Sequence, residues 1–148
     1  MIIHNNAKRP DYSDPYEQSY FLQVYQNSID MINKVGIGKA TQIAFFQAVQ
    51  DLKTPPDFLV IDAFYVDNIE KSKQKPIVHG DGVCTSIAAA SIIAKVYRDE
   101  LMEQLDSQYP GYNFAKHKGY GTKEHQEAIK KHGLCDLHRT SFNLEKFL

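Results

Sequence analysis

Long apolar runs, a surplus of charge of either sign and a cysteine framework are all missing from this chain. The most apolar stretches, Ile87–Ala94 and Phe58–Ile61, fall far short of the ~20 residues that cross a bilayer. The opening residues Met1-Ile2-Ile3-His4-Asn5 lack the charged and apolar regions of a signal peptide, so a cytoplasmic protein with no membrane partner is expected. Two cysteines, Cys84 and Cys135, cannot form a disulfide framework and read as free thiols of a reducing compartment. Lysine and arginine number 17 against 18 acids, a net charge of −1. No overall basic excess announces a nucleic acid, so any such site must rest on local clustering. Repeats and low-complexity tracts are absent too.

What is present fits one globular domain. The chain has 148 residues, 43% hydrophobic and 24% charged, enough to bury a core but short for two domains. Residues 1–19, broken by Pro10 and Pro15 with Asp11, Ser13 and Asp14 nearby, suggest an irregular segment. Over 39–53, Ala40, Ile43, Ala44, Val49 and Leu52 recur near helical spacing, and Pro55-Pro56 stops the helix. Phe58-Leu59-Val60-Ile61-Asp62 suits a short strand buried on both faces. Pro76-Ile77-Val78-His79 reads as a second strand. The longest helix is expected over 85–107, with Thr85 or Ser86 as cap and Ile93, Tyr97, Leu101 and Leu105 on one face. A last helix runs from a Thr122 cap to about His132, with Gly133 just beyond it, Glu124 in its first turn and Lys130-Lys131 in its last. Strands alternating with helices of this length indicate a layered α/β domain.

Two acids stand where strands end. Asp62 and Asp81 each follow a short apolar strand, where an α/β sheet opens into a crevice that commonly holds ligands. Carboxylates there are rigid and solvated, the donors that Mg²⁺ or Mn²⁺ prefers. The same positions also suit an ordinary cap at Asp62 and a turn at Gly80-Asp81-Gly82, and spacing leaves both readings open.

The carboxyl-terminal segment 116–139 gathers Lys116, His117, Lys118, Lys123, Lys130, Lys131 and Arg139 against Glu124, Glu127 and Asp136. Tyr112, Phe114 and Tyr120 lie in or just before it, and cations with aromatic rings suit phosphates and bases. In Lys118-Gly119-Tyr120-Gly121-Thr122, the glycines permit close approach of backbone N–H groups to an anion. Lys123, Lys130 and Lys131 equally fit the solvated face of a helix. His125, Cys135 and His138 have loose spacing and no CxxC pair, which falls short of a structural zinc site; His138 reads instead as a cap or phosphate contact.

Read in order, several segments resemble one family, ribonuclease HII. Ile29-Asp30-Met31-Ile32-Asn33 with Ala40-Thr41 is similar to its helix-start pattern, and Leu59-Val60-Ile61-Asp62 to its strand ending in a metal-binding aspartate. His79-Gly80-Asp81 resembles its second such aspartate. Ile87-Ala88-Ala89-Ala90-Ser91-Ile92-Ile93-Ala94-Lys95-Val96, closed by Arg98-Asp99, resembles its signature helix. Tyr109-Pro110-Gly111-Tyr112, His117-Lys118-Gly119-Tyr120-Gly121-Thr122 and His138-Arg139-Thr140-Ser141-Phe142 resemble its closing blocks.

The resemblance implies a ribonuclease H-like mixed sheet flanked by helices, with a carboxyl-terminal helical portion. Over 1–148 it implies a single partial domain: 1–19 irregular, 20–107 a sheet-and-helix core, and 108–148 a helical substrate-binding portion. It implies endonucleolytic cleavage of RNA in RNA–DNA hybrids and at ribonucleotides in duplex DNA, by a two-metal mechanism with Mn²⁺ or Mg²⁺. Asp62 and Asp81 match two of four metal-binding acids. Tyr120 matches the tyrosine that packs on the deoxyribose beside a ribonucleotide, and Lys95, Lys118 and Arg139 match backbone or structural contacts. Asp99 is expected to be a structural partner.

The family's Gly-x-Asp-Glu strand, its glycine–arginine–glycine segment and its Asp-Ser-Lys motif have no match here. The expectation is therefore a fold truncated at its amino terminus. Such a chain would be poor or inactive alone and is open to completion by a second chain; the alternative is a non-catalytic nucleic-acid-binding fragment.

Overall fold

The computed structural model describes the backbone over 15–144 and the side chains over 22–144, residue 24 aside. The described residues form a mixed α/β structure with a small parallel sheet and six helices. They gather into two compact units, 38–96 and 15–37 together with 97–144. This division differs from the expected one, since residues 20–37 and 97–107 join the carboxyl-terminal segment.

In the first unit, α2 (Ile37–Gln50) buries Ala40 and ends before Pro55-Pro56, as its pattern predicts. Strand β1 (Leu59–Asp62) pairs in parallel with β2 (Gln74–Ile77), Asp62 standing opposite Ile77. Among the described residues this parallel pair is the whole sheet, and the mixed sheet that the resemblance implies is not seen among them. Ile61 is buried but Val60 is 38% exposed, which corrects the expectation of a strand buried on both faces. The second strand ends earlier than predicted. Val78 is exposed and His79 has φ +54°, a left-handed turn that no strand tolerates.

Between the strands, the Gln74 side chain is buried with both ends satisfied. Its Nε2 donates to the Val66 and Ile69 carbonyls at 3.0 and 2.7 Å, and its Oε1 accepts from Val66 N–H at 2.8 Å. On α2, Gln42 holds the same connection through Tyr65 O and Asp67 N–H. Buried polar groups matched in this way stabilise, whereas one left unmatched costs about 1–3 kcal/mol.

Helix α3 (Gly80–Val83) is a single turn, and α4 (Thr85–Gln108) begins where predicted and supplies residues to both units. Of its anticipated apolar face, Leu101 and Leu105 are buried but Ile93 is 68% exposed. The helical spacing of Ile93 is real; its covering is not found among the described residues.

The second unit contains α1 (Pro15–Val35), α5 (Phe114–His117) and α6 (Lys123–His132) besides the end of α4. Residues 15–19 are thus helical, against the irregular segment predicted for 1–19; residues 1–14 lie outside the described ones. Proline is at home in a helix's first turn because its missing N–H would have no partner there. Ile29–Asn33 lies in the last turns of α1 rather than at a helix start. Gly36, at φ +81°, donates to Ile32 O and closes that helix in the left-handed manner. The core of the unit is Ile29, Leu101, Met102, Leu105, Tyr112, Phe114, Ala128 and Leu137. Tyr112 and Phe114, aromatic candidates for a nucleic-acid contact, are therefore core residues. Leu105 is 1% exposed, and its truncation to alanine should cost ~2–5 kcal/mol in denaturant unfolding. A cost below about 1 kcal/mol would contradict this placement of the core.

Candidate metal edge and nucleic-acid interface

The carboxylate edge is built by two chain reversals. After Asp62 the backbone turns sharply: Ala63 takes φ +66°, its N–H still reaching Ile77 O at 3.0 Å, while Phe64 N–H reaches Asp62 O. After Ile77 the chain turns at His79, also left-handed, into α3. Left-handed backbone at Ala63 and His79 costs of order 1–3 kcal/mol each and gathers where function requires it. The two turns meet. Asp62 Oδ1 accepts from the Gly80 N–H at 2.9 Å, so the Asp62 carboxylate abuts the residue that precedes Asp81. Both acids are exposed; Asp62 is the last residue of β1, whereas Asp81 stands in α3, beyond the turn that follows Ile77, so the strand-end expectation holds for Asp62 and is corrected for Asp81.

Gly80 is required by space. A Cβ there would lie 2.6 Å from the Ile87 Cδ1 and 3.4 Å from Asp62 Oδ1, and Ile87 is buried. At Gly82 a Cβ would meet nothing within 4 Å.

Two carboxylates on one edge offer the oxygen donors that a hard divalent cation prefers. Among the described residues no three or more of His, Cys, Asp and Glu gather around a possible ion. The donor chemistry fits such a cation; the donor count is two. Asp67 and Glu70, acids of the loop between the strands, are exposed, with Glu70 beside Lys73 and Ser72.

The second unit holds a cavity of about 320 Å³ whose lining includes Arg98, Tyr120, His138, Arg139 and Phe142. Tyr120 is 54% exposed. The Arg98 guanidinium lies 4.5 Å over its ring and donates to Lys118 O at 2.6 Å. Lys118 and Gly119 both have positive φ, at 52° and 76°, so the loop rises steeply to Tyr120. Arg139 lies over the Phe142 ring at 5.5 Å. Such cation–π pairs hold flat groups in place while leaving part of each ring open.

The other sequence candidates divide. Lys118 pairs with Glu103 and is largely buried, which gives its ammonium a structural partner within the unit. Lys95 is exposed on α4. Lys123, Lys130 and Lys131 are exposed on α6, as the solvated-face reading has it. Thr122 caps α6, accepting from His125 N–H at 3.3 Å, and Gly133 follows it at φ +80°. His138, read as a cap or phosphate contact, is instead buried and bonded to His125. Sequence reasoning missed the partnership of His117, His125 and His138, and also Arg98 as the support of Tyr120. The i, i+22 separation of Arg98 and Tyr120 has no periodic signature.

These features have relatives. Residues 14–145 match the family described as ribonuclease HII. This chain belongs to the ribonuclease HII family. It is 52% identical over 141 residues to the ribonuclease HII of Clostridioides difficile, covering 93% of this chain and 54% of that protein. It is 51% identical over 113 residues to the one from Dehalococcoides mccartyi, covering 76% and 53%. With the Acetivibrio thermocellus ribonuclease HII it is 53% identical over 111 residues, covering 75% and 43%. The chain spans about half the length of the curated relatives it matches. No helix among the described residues is long and apolar enough to cross a membrane.

Gly80→Ala should destabilise the first unit by about 1–3 kcal/mol, because Ile87 or the Asp62 carboxylate must shift. Gly82→Ala should change stability by less than about 0.5 kcal/mol. Equal effects in thermal or urea unfolding would contradict the close packing of Ile87 against Gly80.

Proposed function

We propose that this chain serves the endonucleolytic hydrolysis of RNA in RNA–DNA hybrids, and of duplex DNA at embedded ribonucleotides, with a divalent cation. The observation that supports the reading is the anchoring of the Asp62 carboxylate on the Gly80 amide, one residue before Asp81 in the chain. Asp62 and Asp81 would hold Mn²⁺ or Mg²⁺, which in a two-metal arrangement supplies neutralisation of charge on the phosphodiester. The backbone of Gly80 fixes one carboxylate oxygen of Asp62 and leaves the other to a ligand.

Substrate contact falls to the loop and cavity of the second unit. Tyr120 offers an exposed ring backed on Arg98, suited to pack on a deoxyribose. A 2′-hydroxyl would crowd a ring so placed, which favours a deoxynucleotide there. Arg139 at the cavity supplies positive charge for the phosphate backbone. Lys118 acts through the loop it braces, and Lys95 makes an exposed backbone contact. The working partner is an RNA–DNA hybrid or ribonucleotide-bearing duplex in the cytoplasm.

Two carboxylates are few for two divalent ions, so this chain alone is a weak or inactive nuclease, and a second polypeptide bearing a Gly-x-Asp-Glu strand would raise its activity. The small donor count favours one second reading, a module that binds hybrids without cutting them. Incubation with Mn²⁺ and a duplex carrying one ribonucleotide separates the two. We expect slow or no cutting by the chain alone, cutting when the second polypeptide is added, and its loss in Asp62→Asn. Salt-dependent binding without cleavage in any combination, unchanged by Asp62→Asn, would establish the second reading instead.

A further inference from the structure

The second unit buries three histidines in contact with one another. His117, His125 and His138 are 6%, 6% and 7% exposed, and none is needed for the proposed chemistry. The His117 and His125 rings stack at 4.3 Å with 14° between their planes. Buried imidazoles so close require their protons to be ordered, and the surrounding backbone groups determine that order.

The Gly119 N–H donates to His117 Nδ1 at 3.2 Å, which leaves the His117 proton on Nε2, 2.7 Å from the Tyr112 carbonyl. The Tyr120 carbonyl, 3.0 Å from His125 Nδ1, is an acceptor and requires a proton on that nitrogen. In a neutral His125, Nε2 is then bare and accepts from His138 Nε2 at 3.2 Å. His138 is thereby left with a bare Nδ1, where the Cys135 N–H donates at 2.9 Å. The nearby Cys135 carbonyl already accepts from the His138 N–H at 2.9 Å. One set of protons satisfies these five contacts with three neutral rings and leaves His138 Nδ1 bare beside the Cys135 carbonyl at 3.1 Å.

The chain ends on Tyr120. Its carbonyl accepts from both Thr122 N–H and His125 Nδ1, so the backbone that presents the exposed ring is tied to the buried rings. We infer that His125, backed by His138 and stacked on His117, is a positioning residue for Tyr120, and that this mount works only while His125 and His138 stay neutral. The inference deepens the reading of Tyr120 as the substrate-contacting ring, but its first test does not depend on that reading.

An added proton on His125 Nε2 would face the His138 Nε2–H, and one on His138 Nδ1 would displace the Cys135 N–H contact for the Cys135 carbonyl 3.1 Å away. Burial holds both His125 and His138 below the ordinary imidazole value, and the neighbouring His117 adds to the effect. The titratable groups facing them are one another, His117, the Cys135 thiol and the Tyr112 ring. Arg98 and Arg139 line the cavity beside them, and Lys116 and Glu124, on the adjoining helices, neutralise each other at 2.6 Å. Groups with lowered values bind fewer protons when folded. Their contribution is complete above about pH 6.5 and is lost as the pH falls below it.

Nitrogen-15 NMR of the full chain at pH 7.5 should show His117 and His138 protonated on Nε2 and His125 on Nδ1. The Gly119–Thr122 amide resonances should hold steady above about pH 6.5 and move or broaden below it. His125→Asn keeps a donor near the Nδ1 position and cannot titrate there, so it should flatten that acid response. Binding of a ribonucleotide-bearing duplex by the unsubstituted chain should weaken about threefold to tenfold on acidification, equivalent to losing one hydrogen bond; His125→Asn should not share that loss. An imidazolium at His125 or His138 at pH 7.5, or a neutral His125 with its proton on Nε2, would overturn the inference even if the variant fails to fold. So would ring titration that leaves the loop amides unmoved. If the protons are ordered as described and no duplex binds at any pH, the proposed function fails and the mount stands.

Discussion

The hydrogen bond from the Gly80 amide to the Asp62 carboxylate is the contact on which the functional reading of this chain depends. Without it, Asp62 is one more acid at the end of a strand. With it, the turn after β1 and the turn after β2 are drawn together, and Asp81 follows one residue later. Gly80 also packs closely against Ile87, whose Cδ1 lies 2.6 Å from where a Cβ would stand. The bond also orients one carboxylate oxygen and frees the other, a common way of shaping a ligand before it arrives.

The carboxyl-terminal unit solves a different problem. It must present an aromatic ring to solvent without letting the loop beneath it wander. Arg98 supports the ring face and the Lys118 carbonyl, while the buried histidines hold the Tyr120 carbonyl from the core side. Lys118 in turn is held by Glu103. Most of the positive charge that composition offered as a binding surface is solvated on α6 or engaged within the unit. What remains at the cavity is a pair of arginines beside aromatic rings, Arg98 with Tyr120 and Arg139 with Phe142.

Much of this was legible in the residues where local chemistry decides. The Thr122 cap and the Gly133 terminus each follow from a single residue and match the structure, whereas Thr85 and Ser86, expected as caps, lie within α4. Asp62 is legible as a strand-end acid, whereas Asp81 lies in α3 past the turn after Ile77; the family resemblance singles out both. The misreadings arose where two signals competed. Pro15 reads as a breaker although it opens α1, and Val78-His79 reads as strand although the chain turns there. Tyr112 and Phe114 looked like ligands for bases because their burial depends on packing from α4 and α6. The histidines resembled weak zinc ligands or phosphate contacts, since nothing in their spacing reveals that their ring nitrogens face one another.

Paramagnetic titration with Mn²⁺ tests the shared carboxylate edge without requiring turnover. Asp62→Asn and Asp81→Asn should each weaken uptake of the same ion by on the order of tenfold or more, with the fold intact by circular dichroism. Uptake unchanged by either substitution, or ions lost independently at two separate sites, would contradict the placement of both acids around one cation.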